Sequence, residues 1–121
     1  MPQEYLKLCQ NIPKSQKDVF VYLLDPTVKK EQTIKTFCDA QNLTYLFGAK
    51  TIEEWLAAFR DAKYIITDSF HGCILSILFN KPFICLYNKW RGNARFDSLI
   101  KLFNIQNNFI FNIEQLKDTP F

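Results

Sequence analysis

Short apolar runs alternate with longer stretches of helical spacing from about residue 18 to the end of this 121-residue chain. Val19-Phe20-Val21-Tyr22-Leu23-Leu24, Thr44-Tyr45-Leu46-Phe47, Tyr64-Ile65-Ile66-Thr67-Asp68 and Phe83-Ile84-Cys85-Leu86-Tyr87 lack polar alternation, as strands buried on both faces do. Between the first two, Thr27 to Asn42 reads as a helix with Ile34, Phe37 and Cys38 on one side. That thin stripe predicts a helix lying largely in solvent. Thr51-Ile52-Glu53-Glu54 reads as a capping box, opening a helix whose Ile52, Trp55, Leu56 and Phe59 share a face. A third helix, Gly72 to Asn80, turns Ile74, Leu75, Ile77, Leu78 and Phe79 inward and ends at Asn80 and Pro82. A fourth carries Phe96, Leu99, Ile100 and Phe103, and Asn108 to Ile113 reads as a fifth, edge strand. Ahead of all this, residues 1–17 form a short helix around Glu4 to Gln10 and a linker, leaving 18–121 as one α/β domain.

Five strands joined by four helical connections predict a three-layer α/β/α sandwich with a mostly parallel five-stranded sheet and right-handed crossovers. Strand order 2-1-3-4-5 places the turn after strand three at the switch point beside strand one, where open α/β sheets bind ligands. Order 3-2-1-4-5 would favour the loop after strand four instead. The turn after strand three is Thr67-Asp68-Ser69-Phe70-His71-Gly72, and His71 is the only histidine in the protein.

Composition narrows the chemistry. At this length folding buries roughly two thirds of the extended surface, enough for one core. A net charge of +3 without a basic stripe argues against nucleic acid. Cys9, Cys38, Cys73 and Cys85 form no Cys-x-x-Cys pair and have a single histidine between them, so no metal site and no cofactor is expected. They read as reduced core thiols of a cytoplasmic protein. The N-terminus lacks the basic and apolar regions of a signal peptide, and no apolar run approaches the ~18 residues of a transmembrane segment.

A lone histidine is usually a structural residue, but a carboxyl-end turn flanked by Ser69 and Gly72 favours a functional His71. Gly72, without a Cβ, admits close approach of a substrate or of backbone. Asp68 and Ser69 are first of all good helix caps, with contact to ligand the lesser alternative, stronger for Ser69. Arg91 and Arg95 lie four apart near a helix start, where a cation opposes the dipole by a few tenths of a kcal/mol unless an anion is bound. Guanidinium forks match phosphate and carboxylate, so both arginines are candidate anion ligands.

Taken together, Ala62 to Gly72, Ser76, Phe79-Asn80-Lys81-Pro82-Phe83 and Arg91 to Leu99 resemble the polysaccharide pyruvyl transferase family, in its C-terminal portion, from about residue 19 to about 113. The resemblance implies a Rossmann-like domain, one half of a two-Rossmann, glycosyltransferase-like fold with a cleft between the halves. It implies transfer of a pyruvyl group from phosphoenolpyruvate to sugar hydroxyls as a ketal, in cell-surface or exopolysaccharide biosynthesis. It makes His71 the motif histidine of acid catalysis, a task suited to an imidazole, which ordinarily titrates near neutrality. Ser69, Gly72, Arg91 and Arg95 would then hold substrate, the arginine segment matching only loosely.

Members of that family are about twice this length or more, so the resemblance implies an N-terminal partner domain and an inactive isolated chain. An aromatic content of 16% suits a domain that docks against another. Two rival readings are the nucleotide-sugar half of a glycosyltransferase and a receiver-like signalling module. The first wants an acid to hold a ribose near strand four, and Asp97 lies within a helix. The second wants paired acids after strand one, where only Asp25 stands, and a lysine closing strand five.

Overall fold

The computed structural model describes residues 3–14, 16–86, 93–103, 108–110 and 115–116. In chain order the elements are α1 (Gln3–Cys9), β1 (Val19–Tyr22), α2 (Val28–Ala40), β2 (Tyr45–Phe47), α3 (Ile52–Asp61), β3 (Tyr64–Thr67), α4 (Phe70–Leu78), β4 (Phe83–Leu86), α5 (Asn93–Phe103) and β5 (Phe109–Ile110). The body of the fold is a parallel sheet of four strands in the order β2-β1-β3-β4, flanked by helices on both faces. Register aligns Val19 with Tyr45 and Tyr64, and Ile65 with Phe83. Of the edge strand expected over Asn108 to Ile113, Phe109–Ile110 pair in parallel with Cys85 and Leu86, and residues 111–113 lie outside the described residues.

Period-two alternation divides the core. Phe20, Ile65, Phe83 and Cys85 face α1, α3, α4 and Leu99 of α5. Val19, Val21, Ile66, Ile84 and Leu86 face Ile34, Phe37 and Cys38 of α2. Phe59 ties the larger layer together, meeting Phe20 and Trp55 edge-on at centroid distances of 5.2 Å. The remainder of α2 is mostly exposed, as its thin stripe predicts.

Two positions expected inside lie outside. Ile52, the first residue of α3, is 69% exposed, and Ala57 and Ala58 pack inward with Leu56 and Phe59 instead. Leu78, in the last turn of α4, is exposed too. Thr51 caps α3 by accepting from the Glu54 N–H at 3.0 Å, but its hydroxyl meets Glu54 Oε1 at 3.4 Å, so Glu54 answers the side chain, not the backbone. Asn42 and Asn80 take φ of 59° and 56°, the left-handed conformation that ends α2 and α4. All four cysteines are buried free thiols, and burial pushes the Cys38 thiol up to about 11.

Arg60 fastens α1 to this body. Its guanidinium donates to Cys9 O at 2.8 Å and Ile12 O at 3.0 Å while pairing with Asp61, giving the end of α1 the partners its last carbonyls need.

At the amino edge of the sheet, Asp18 clamps β1 to its neighbours. Its Oδ2 accepts from the Thr44 N–H at 2.9 Å, and Lys63 Nζ stands 3.4 Å from Oδ1. The Thr44 N–H, chiefly, holds this carboxyl below its ordinary value of 3.8, against a smaller opposing push from burial. A lowered native pKa stabilises the fold above the unfolded value and loses that contribution as pH falls through the native one. Thermal melts of wild type and Asp18→Asn are therefore expected to differ at pH 7 and to converge as pH drops below about 4. A gap in Tm that stays constant down to pH 2 or so would show that the charge of Asp18 is not what stabilises.

Candidate functional site

Every strand of the sheet body ends at one edge, and α2, α3 and α4 start there, so their N–H dipoles converge on that edge. The order β2-β1-β3-β4 makes the gap between the ends of β1 and β3 the switch point. Residues Thr67 to Gly72 fill that gap, with Tyr22 paired to Thr67 at its base.

Three hydroxyl side chains tie this turn together. The Thr67 hydroxyl accepts from the Ser69 N–H at 3.0 Å, and Ser69 Oγ accepts from the Gly72 N–H at 3.2 Å as the N-cap of α4. Ser76 Oγ donates back to Gly72 O at 2.7 Å. Helix α4 thus begins at Phe70, two residues ahead of the Gly72 start that spacing suggests, because the serine cap satisfies the first turn. Thr67, Asp68, Ser69 and Ser76 are each at most 2% exposed.

Gly72 packs closely against Thr67. A Cβ on it would sit 3.0 Å from Thr67 Cβ, 3.1 Å from Thr67 Cγ2, and well inside contact with Thr67 Oγ1. The close approach it permits is that of α4 onto the end of β3. Asp68 does not cap the helix. Its carboxylate instead crosses the switch point, Oδ1 accepting from Leu24 N–H at 2.6 Å and Oδ2 from Asp25 N–H at 3.0 Å. Its own N–H reaches Tyr22 O at 3.4 Å.

His71 is the exposed member of the turn, on the first turn of α4 and edge-on to Phe70 at a centroid distance of 5.9 Å. A rigid, buried platform therefore presents a single imidazole beside a helix N-terminus, a pairing that can hold an anion and move a proton. Ser69, by contrast, is buried and spends its hydroxyl on the cap. Arg91 lies outside the described residues; Arg95 is the third residue of α5, with its side chain outside them as well. Two open cavities, of about 510 and 500 Å³, lie elsewhere: one between α3, the β2 edge and Ile12-Pro13, the other along α2. His71 lines neither. Among the described residues no cluster of His, Cys, Asp or Glu could hold a metal ion, and no helix is long and apolar enough to cross a membrane.

Sequence reasoning missed what Asp68 does. An aspartate at a strand end beside the switch point was a signal, but its partners lie 43 and 44 residues away.

A doubly wound parallel sheet with a polar turn at its switch point is the architecture in which open α/β folds place their ligand sites. The chain belongs to the polysaccharide pyruvyl transferase family: the family model matches residues 2–89 of its 121. The match takes in α1, ahead of the portion from 19 onward that the motifs delimit, and stops before Arg91 and Arg95. No curated protein and no solved structure matched the chain.

Proposed function

We propose that this chain carries the donor side of a phosphoenolpyruvate-dependent pyruvyl transferase acting in the cytoplasm on a saccharide destined for the cell surface. The observation that carries the reading is His71, exposed on a buried turn at the switch point of a chain in this family. The imidazolium gives its proton to the donor's methylene carbon, which becomes the methyl group. One sugar hydroxyl bonds to C2, the C2–O bond to phosphate breaks, and orthophosphate leaves with the electron pair. A second hydroxyl then closes the ketal, the two hydroxyl protons returning to the imidazole and to phosphate. The first-turn N–H groups of α4 stabilise the anionic donor and departing phosphate, with Arg91 and Arg95 as further anion ligands and Gly72 keeping the turn tight.

On this reading residues 1–17 form a leading helix and linker, 18–121 the C-terminal Rossmann-like domain with β5 as its fifth strand, and a second domain supplies the acceptor wall. The isolated chain binds donor but forms no product. The intact enzyme, given phosphoenolpyruvate and a panel of p-nitrophenyl glycosides, is expected to release orthophosphate and to yield a glycoside bearing one pyruvate ketal, read by mass spectrometry. Glycosyl transfer from a nucleotide sugar, with no ketal from phosphoenolpyruvate, would assign the domain to the rival chemistry.

A further inference from the structure

We propose that Asp68 is a positioning residue for the reaction, fixing the turn that carries His71 against the loop after β1; this rests on the function proposed above. A carboxylate 1% exposed is costly to bury unless both oxygens are bonded. Here both are, to the consecutive N–H groups of Leu24 and Asp25. Two adjacent N–H groups at the carboxyl edge of a parallel sheet are themselves an anion cradle. The protein's own carboxylate occupies it, so the donor's anionic groups are left to the N-terminus of α4. With its N–H on Tyr22 O, Asp68 joins the two sides of the switch point at three places, three residues before His71.

Asn at this position keeps the shape but accepts from only one N–H, since its amide nitrogen is itself a donor facing another. The loop and the turn then separate, and a displacement of about 1 Å at a reacting group costs on the order of 10²-fold in rate. Asp18 supplies the matched control. It makes the same kind of carboxylate-to-backbone clamp, to Thr44 N–H at 2.9 Å, at the opposite edge of the sheet.

The test measures kcat and KM for phosphoenolpyruvate in the intact enzyme for Asp68→Asn, Asp18→Asn and His71→Ala, with p-nitrophenyl glycosides as acceptors. Asp68→Asn is expected to lose about 10²-fold in kcat with little change in KM, and to exchange the Leu24 and Asp25 amides faster, while Asp18→Asn keeps its kcat. An unchanged kcat in Asp68→Asn, or equal losses in both variants, overturns the proposal. If Asp68→Asn does not fold, Asp68→Glu decides: it keeps the charge and both acceptor oxygens but lengthens the tether, so wild-type kcat there overturns the proposal and a loss supports it. His71→Ala separates the two claims. Full turnover in that variant defeats the reading of the site itself, whereas an inactive His71→Ala beside an unimpaired Asp68→Asn defeats only the role of Asp68.

Discussion

His71→Ala is expected to slow pyruvyl transfer by about 10²- to 10⁴-fold, the range a positioned acid contributes, and to leave the fold almost unchanged. The two halves of that expectation have separate causes. The rate falls because the imidazole is the one exposed proton donor on a turn otherwise made of buried, mutually bonded groups. Stability holds because an exposed side chain whose described contact is one edge-on ring costs within about 0.5 kcal/mol to remove. Initial rates of orthophosphate release, set beside thermal melts of the same preparations, check both. A drop in rate that merely follows a drop in Tm would make His71 a structural residue.

Gly72→Ala is expected to cost about 3 kcal/mol of stability, at the upper end for overpacking. The added methyl meets the whole Thr67 side chain, including its Cβ, so no rotamer of Thr67 clears the space. Helix α4 must lift off β3, and the Ser69 cap and the Ser76 bond to Gly72 O move with it. Thr67→Ala alone costs about 1 kcal/mol, the bond from the Ser69 N–H. The double variant is expected to be less destabilised than the two singles summed, since removing Oγ1 and Cγ2 opens room for the new methyl. Urea unfolding of the four proteins measures this, and strict additivity would mean that Gly72 answers to something other than Thr67.

The parts of this fold that depend on neighbours in sequence were legible; those that depend on distant ones were not. Continuous apolar runs located β1, β3 and β4, and of the two strand orders weighed, 2-1-3-4-5 is the one whose first four strands match the pairing of the sheet body. Ser69 was readable as a cap because a cap acts on the N–H three residues on. Asp68 was equally plausible as a cap, and only the packing of β1 against β3 shows its carboxylate reaching Leu24 and Asp25. Ile52 has the spacing of a core residue, yet it is exposed at the first position of α3, and spacing carries no information about where along a helix its packing partners begin. Gly72 was legible as a position of close approach but not in its partner, because Thr67 comes within reach only when α4 starts at Phe70.

Because His71 is the only histidine, its imidazole resonances in an NMR spectrum of this chain need no assignment. Titrating the chain with phosphoenolpyruvate while following those resonances and the backbone amides of Phe70 to Cys73 tests the central claim most directly. The account predicts that imidazole and amides move together along one saturating curve. An imidazole that stays still at millimolar donor, with any movement confined to residues lining the cavity between α3 and the β2 edge, would contradict it.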